Sequence, residues 1–446
     1  MTGQRPLGAV HAAALVVASM VGTGVFTTTG VLLTSLPSPA VVLVAWALSG
    51  LLALCGAAVY AELGVMMPRV GGEYVYLSRA YGPAMGFLSG WVALIVGFAA
   101  PTAAGAIGFA TYVHAVAPAL PEKPLAVGLV ALVTAVHMAD VRFGARLQSA
   151  LSASVVAFIV LFVAATFTVG HGDWAHLTSV VATARAPDGG VGGLVLAAGV
   201  AVSLVQVSYA YSGWNGAAYI AGEIRDPARA LPRAVLLSTG LVTVLYVALN
   251  LVFLYATPAA ALTGRRDVAH VAATALFGQR SATLLSSLVA LTSAGFVSAM
   301  LMSGPRVSVA MAQDGVFFRA LGRPNARGAP TLAVGLQGAL AVIAVLTATF
   351  DSILVYVGFA LNLNAAAAVA AAFVLRRREP AADRPYRTPL WPLPGVLFLS
   401  LAAFMTVFAV RERPKETGAA GATLIAGGIA YELWRRRSRR DIDSPR

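Results

Sequence analysis

The chain has 446 residues, of which 59% are hydrophobic and 11% are charged, and its net charge is +13. Its mean hydropathy of +0.80 excludes an ordinary soluble domain, because such domains are roughly half apolar and one quarter charged. The basic residues form short clusters between apolar runs, so the positive charge does not indicate a nucleic-acid-binding face.

Apolar segments recur along the whole chain. They are continuous and do not alternate with polar residues, and a helix needs about 20 such residues to cross a hydrocarbon core of about 30 Å. We therefore predict an all-α polytopic membrane protein with 12 transmembrane helices. The segments are 7–33, 39–66, 82–114, 124–139, 146–170, 192–222, 231–256, 281–313, 331–349, 352–376, 391–410 and 417–434.

Lysines and arginines lie mainly in every second loop between these segments. Examples are Arg69 and Arg79 after the second segment, Arg142 and Arg146 after the fourth, and Arg225 after the sixth. Because cytoplasmic loops carry an excess of positive residues, these loops are predicted to be cytoplasmic. With an even number of spans, we expect a multi-pass protein of the cell (cytoplasmic) membrane with both termini in the cytoplasm.

The loop after the second segment has the sequence GGEYVYLSRAYGP, residues 71–83. Aromatic and charged residues are mixed in it, as in a short amphipathic helix that lies on a membrane surface. We predict such a helix on the cytoplasmic face, with a solvated loop as the alternative.

Two apolar segments are interrupted by glycines, at VGTGVF in the first (residues 21–26) and at YSGWNG in the sixth (residues 211–216). Paired interruptions in corresponding positions indicate the binding site of a transporter with internal repeats. We predict a single transmembrane domain with one inverted repeat at 7–170 and the other at 192–376. Two additional helices at 391–434 and a basic cytoplasmic tail at 435–446 would complete it.

A helix that breaks inside a membrane leaves backbone N–H and C=O groups without partners, and each costs several kcal/mol unless something binds it. The amides that begin the second half-helix, at Thr23, Gly24 and Val25, favour a carboxylate. The freed carbonyls favour an ammonium group, and they are those of Met20, Val21, Tyr209, Ala210 and Ser212. Close helix packing alone also explains paired glycines, but the polar residues beside both breaks favour a substrate site. The predicted site consists of Met20, Val21, Thr23, Gly24, Val25, Tyr209, Ala210, Ser212 and Asn215.

Four residues are candidates for gates. Tyr209 is the better candidate for a lid over the substrate, whereas Trp214 is either a gate or a core aromatic residue. Glu62 and Glu223 lie near predicted cytoplasmic helix ends. They are expected to pair with Arg69, Arg225 or Arg229, either as a thin inside gate or as fixed surface ion pairs.

Other chemistries find no support in the sequence. The six histidines lack metal-binding spacing and no phosphate-binding G-x-x-x-x-G-K-[ST] loop is present, so we predict no metal, no cofactor, no nucleic acid and no enzymatic activity. The third, eighth and tenth segments contain no acidic residue at mid-depth. A cationic substrate side chain would therefore lack a counter-charge, which favours neutral substrates.

The interruptions, together with YAELGVMMPRVGGEYVYLSRAYG and YAYSGWNGAAYIAGEIRDPARALPRA, resemble the amino acid-polyamine-organocation superfamily. GPRVSVAMAQDGVFFRAL and RRREPAADRPYRTPLWPLPG are also similar to it, and SGWN is closest to the L-type amino acid transporter branch and its bacterial relatives. The resemblance implies a LeuT-like fold with a five-plus-five inverted repeat and discontinuous first and sixth helices. It also implies substrate contacts at Met20, Thr23, Gly24, Tyr209, Ala210, Ser212 and Asn215.

Two departures from the branch concern coupling and partners. Val155 stands where bacterial members often carry a lysine that replaces a sodium ion. The single cysteine, Cys55, lies in the second segment, so we predict no covalently linked heavy chain, and the oligomeric state stays open. The predicted function is secondary transport of neutral L-amino acids by alternating access, as antiporter or symporter. A polyamine or other organic-cation carrier and a nontransporting amino acid sensor are the alternatives.

Overall fold

The computed structural model describes residues 7–139, 156–179, 192–326 and 328–443. Within these ranges the chain is helical and forms no β-strand. The first helices are α1 (Ala9–Met20), α2 (Gly24–Leu32), α3 (Pro39–Met66), α4 (Glu73–Tyr81), α5 (Pro83–Val92), α6 (Ala100–Val116), α7 (Glu122–Ala139) and α8 (Val156–Val169). A π-helical segment, Ala93–Ala99, joins α5 to α6.

The second half of the chain continues the same pattern. Its helices are α9 (Gly193–Tyr211), α10 (Gly216–Tyr219), α11 (Pro227–Ala256), α12 (Ala259–Leu262), α13 (Val268–Ser303), α14 (Pro305–Gln313), α15 (Thr331–Thr347), α16 (Phe350–Arg378), α17 (Leu393–Glu412) and α18 (Pro414–Asp443).

Nine helical stretches in the described ranges are long and apolar enough to cross a membrane, while α8 and α15 are apolar but shorter. Large apolar side chains such as Val10, Leu237 and Ile425 point outward and are at least 67% exposed. Lipid tails are as apolar as these side chains, so a bundle in a bilayer can leave them on its surface. The chain is thus a polytopic helical membrane protein, and the full count of twelve spans stays a prediction.

Both predicted interruptions are real breaks in helices. The helix α1 ends at Met20, and Val21 is extended with φ −77° and ψ 94° before α2 begins at Gly24. The helix α9 ends at Tyr211, and Gly213 has φ +99°, a conformation that glycine adopts without steric cost. The chain becomes helical again at Gly216.

The predicted surface helix at residues 71–83 does not lie on the surface. The helix α4 forms there, but Glu73, Tyr76 and Leu77 are at most 3% exposed. Its first residue, Glu73, hydrogen-bonds to Tyr60 of α3 and to Asn364 of α16. The prediction of a surface helix is therefore wrong, because these contacts hold the start of α4 inside the bundle.

Candidate functional site

The two breaks lie against each other, although about 190 residues of sequence separate them. A Cβ atom built on Gly24 would lie 2.8 Å from Cα of Ala210, and one on Gly213 would lie 2.5 Å from the carbonyl oxygen of Ser19. Such distances leave no room for a side chain at either position. The close approach therefore brings the start of α2 directly beside the end of α9.

Backbone amides at the start of α2 have no hydrogen-bond partner among the described residues. They belong to Thr23, Gly24 and Val25, and the helix has no side-chain cap. Thr23 and Val25 are 0% exposed, so bulk water does not satisfy these donors. Buried unpaired amides are rare in proteins, and at a helix N-terminus they favour an anion. This end of α2 has the chemistry of a carboxylate site.

Two buried hydroxyl groups lie at the same place. The side chains of Thr23 and Tyr209 adjoin, yet neither hydroxyl makes a hydrogen bond of normal geometry within the described part of the chain. The ring of Tyr209 is 2% exposed and packs edge-on against Phe350 at 6.4 Å between ring centroids. Unpaired amides and two buried hydroxyl groups therefore lie together at the start of α2.

The predicted carbonyl acceptors are only partly free. The hydroxyl of Tyr246 in α11 donates to the carbonyl oxygens of Met20 (2.6 Å) and Ala210 (3.2 Å), and the amide of Ser212 donates to the carbonyl of Tyr209 at 3.0 Å. The expectation that these three carbonyls lack partners is wrong. The carbonyl oxygens of Val21 and Ser212 accept no hydrogen bond from the described residues. They are therefore the predicted acceptors that could bind an ammonium group without losing a partner.

Tyr246 is a residue that the sequence analysis missed. It lies in the mainly apolar C-terminal half of helix α11, four residues before Asn250, whose side-chain amide donates to the Tyr246 carbonyl at 2.8 Å. The hydroxyl of Thr29 in α2 donates to the side-chain oxygen of Asn250. Two polar residues one turn apart on an apolar helix were the available signal, because they share one face.

Small cavities flank the second break. One of about 60 Å³ borders α3, α16 and α17, and another of about 50 Å³ borders α1, the π-helical segment and α13. Both are lined by Ser212, Gly213 and Asn215. The predicted polar residues Ser212 and Asn215 therefore lie between the two cavities.

Larger chambers lie beyond these cavities. One of about 610 Å³ is lined by Arg69, Arg306 and Asp314, and Arg306 also lines the 50 Å³ cavity. The other, of about 470 Å³, is lined by Lys123 and by Phe350, the residue that packs on Tyr209. Arg306 thus adjoins one chamber and a cavity beside the second break, and Phe350 adjoins the other chamber and Tyr209.

The gate candidates differ in their surroundings. Trp214 is 9% exposed and packs edge-on against Tyr60 at 4.7 Å and against Phe398 at 6.4 Å. These contacts are those of a core aromatic residue, one of the two alternatives for Trp214. Glu223 lines the 610 Å³ chamber beside Arg69, but its predicted ion pair is absent from the described ranges.

Glu62 forms an ion pair, but not with the predicted arginines. Its carboxylate accepts two hydrogen bonds from Arg376 at 2.9 and 2.7 Å, and Arg384 lies 3.6 Å away. The amide and hydroxyl of Thr388 donate to it as well, at 2.7 and 2.8 Å. The pairing prediction is wrong because the loop after α16 folds back onto α3. Arg69 and Arg229 pair instead with Asp314 and Asp226.

Replacing Arg376 with methionine is expected to lower the stability of the folded protein by up to about 3 kcal/mol, because Glu62 would keep a buried charge with a weaker partner. Arg384 would still face it at 3.6 Å. The measurement is the midpoint of thermal unfolding in detergent. The double variant with Glu62→Leu should recover part of the loss. Altered transport with unaltered stability would contradict this structural role and favour a gate.

A second residue missed by the sequence analysis is Glu73, the first residue of α4. It is 3% exposed and borders the 60 Å³ cavity together with Asn215. Asn215 donates to its carboxylate at 2.8 Å. A predicted site residue is therefore held by an acidic group that the sequence analysis placed on the membrane surface. The predicted coupling position, Val155, lies outside the described residues.

Comparisons with known proteins gave matches over most of the chain. A family model described as amino acid permease matches residues 7–430. The chain is 29% identical over 442 residues to the mouse large neutral amino acids transporter small subunit 2, covering 96% of this chain and 81% of the relative. It is 29% identical to the serine/threonine exchanger SteT of Bacillus subtilis, with 90% of each covered. It is 26% identical to the human b(0,+)-type amino acid transporter 1, covering 92% of this chain and 84% of that protein.

Proposed function

Because the chain belongs to the amino acid permease family, and is thus an amino acid transporter and not an enzyme, we propose that it moves neutral L-amino acids by alternating access. The observation that carries this proposal is the row of unpaired, buried amides at Thr23, Gly24 and Val25 beside Ala210. These donors would bind the α-carboxylate, and the carbonyls of Val21 and Ser212 would accept from the ammonium group.

Selectivity for neutral side chains rests on the charges near the breaks. Arg306 lines the 50 Å³ cavity and would repel a cationic side chain. The Glu73 carboxylate already accepts four hydrogen bonds from the protein, so it has no free acceptor position for a hydrogen bond from a cationic side chain. Two of the relatives are named for large neutral amino acids and for serine and threonine, which agrees with this reading.

The proposed architecture is the LeuT-like five-plus-five inverted repeat, with repeats at 7–170 and 192–376 and two further helices. It is supported by two breaks that lie five predicted spans apart and face each other. With both termini in the cytoplasm of a cell-membrane protein, the 610 Å³ chamber would open to the cytoplasm. Cys55 is 8% exposed within α3, which supports the absence of a disulfide-linked heavy chain.

Counterflow in proteoliposomes tests this function. Proteoliposomes with the purified protein are loaded with a high concentration of a single compound, either one of the twenty amino acids or putrescine. Entry of the same compound in labelled form is then measured. We expect uptake with small or medium neutral amino acids and none with lysine, arginine or putrescine. Counterflow of putrescine that exceeds counterflow of every neutral amino acid would overturn the assignment.

A further inference from the structure

The carboxylate of Glu73 is buried without a cationic partner. It is 3% exposed and makes no ion pair with a lysine, arginine or histidine in the described ranges. Removing a carboxylate from water without an opposite charge is costly, and an ionisable group placed so in a membrane protein usually has a function. The transport mechanism described so far does not use this group.

Four neutral donors surround this carboxylate. One oxygen accepts from the Tyr60 hydroxyl (2.7 Å) and the Asn215 side-chain amide (2.8 Å). The other accepts from the Tyr219 hydroxyl (2.7 Å) and the Asn364 side-chain amide (2.7 Å). These residues belong to α3, to the second break with α10, and to α16. One carboxylate therefore ties the second break and α10 to two long helices.

Burial and hydrogen bonding have opposite effects on the pKa of this group. Burial raises the pKa of the Glu73 carboxyl, and the four hydrogen bonds oppose that rise without cancelling it. The titratable side chains that face it in the described structure are the tyrosines Tyr60, Tyr219 and, from α4 itself, Tyr76. Tyrosines are neutral at physiological pH, so Glu73 is the group in this cluster that changes charge.

We propose that Glu73 is the proton-binding site that couples this transporter to a proton gradient, so that a proton and an amino acid cross together; this rests on the transport function proposed above. A carboxylate oxygen takes a proton from hydronium in the 60 Å³ cavity that Glu73 lines and leaves a water molecule. One O–H bond forms on the carboxyl group as one O–H bond of hydronium breaks, and the charge of the site changes from −1 to 0.

Protonation acts on the second break through Asn215. A carboxylate oxygen that carries a proton becomes a donor, whereas a side-chain amide N–H can only donate. The four hydrogen bonds then cannot all keep their direction, and the bond to Asn215 loses its charge assistance. Asn215 also lines both cavities beside the break. Proton binding therefore loosens the segment that must move when substrate is carried, and Glu73 acts as a positioning residue.

The test compares wild type with Glu73→Gln in proteoliposomes, using labelled L-serine, L-alanine and L-leucine. Wild type is expected to move protons when amino acid is added, as followed by an internal pH dye, and to accumulate amino acid in vesicles with an alkaline interior. The glutamine variant, a neutral carboxyl mimic, should show counterflow that no longer varies between about pH 5 and pH 8 and should move no protons.

Tyr60→Phe keeps the ring and removes one donor to the carboxylate, so the anion is less stable and the midpoint of the pH profile should rise by about one unit. This shift supports the proposal even if Glu73→Gln does not fold. Two results would overturn the proton site and leave the transport function standing. One is wild-type counterflow without proton movement, and the other is a pH profile in either folded variant that equals the wild-type profile. Absence of counterflow in folded wild type with every amino acid would instead refute the transport function.

Discussion

Replacing Gly24 with alanine is expected to reduce counterflow at least about 30-fold, a change that corresponds to about 2 kcal/mol. The new Cβ would lie 2.8 Å from both Cα and Cβ of Ala210 and 3.3 Å from the ring of Tyr209. One of these obstacles is backbone, so no rotation of a side chain relieves the overlap. The start of α2 must then move away from α9, and the three unpaired amides no longer face the second break.

The matched control for this variant is Gly128→Ala. Gly128 also lies in a predicted membrane helix, α7, and a Cβ built on it meets nothing within 4 Å. This control should transport as wild type does. Overpacking costs about 1–3 kcal/mol, so gel filtration and thermal unfolding in detergent are needed to establish that Gly24→Ala is folded. A folded Gly24→Ala protein that transports at the wild-type rate would refute carboxylate binding by these amides.

The breaks could be predicted from sequence because their cause is local. Gly22, Gly24 and Gly213 lower the free-energy cost of a non-helical backbone conformation. Polar neighbours such as Thr23 and Asn215 stand out in the sequence because the segments around them are apolar. The pairing of the two breaks followed from their spacing. The predicted repeat placed the two breaks near each other, and Gly24 does lie against Ala210.

Glu73 could not be placed from sequence because its environment is not local. A short helix that mixes aromatic and charged residues has the same composition whether it lies on a membrane surface or inserts into a bundle. The contacts that decide between them come from Tyr60 and Asn364, of which Asn364 is 291 residues away. Hydrophobic periodicity carries no information about such partners.

Glu62 illustrates the same limit for ion pairs. The sequence offers many arginines near predicted cytoplasmic helix ends, and the predicted partners were Arg69, Arg225 or Arg229. The pair that forms instead joins Glu62 to Arg376, 314 residues away. The ring of Trp391 lies over the Arg376 guanidinium at 4.1 Å and helps to hold it, since aromatic faces attract cations. Which arginine meets a buried acid depends on how a loop folds back, and that is a tertiary property.

Replacing Tyr209 with alanine is expected to lower counterflow at least about tenfold, or about 1.4 kcal/mol, while Tyr209→Phe should retain it within about threefold. The ring of Tyr209 lies beside Gly24 and packs on Phe350, which lines the 470 Å³ chamber. Without this ring, the layer between the breaks and the chamber is open, and substrate cannot be closed off from that side.

The phenylalanine variant separates the ring from its hydroxyl. The Tyr209 hydroxyl has no hydrogen-bond partner of normal geometry in the described structure, so its removal costs the empty protein little. If Tyr209→Phe loses as much transport as Tyr209→Ala in equally stable proteins, the hydroxyl binds substrate and the ring is not the lid. If both variants transport normally, the layer formed by Tyr209 and Phe350 is not a gate. A loss confined to Tyr209→Ala is the result that a lid requires, because only that variant removes the surface that closes over the breaks.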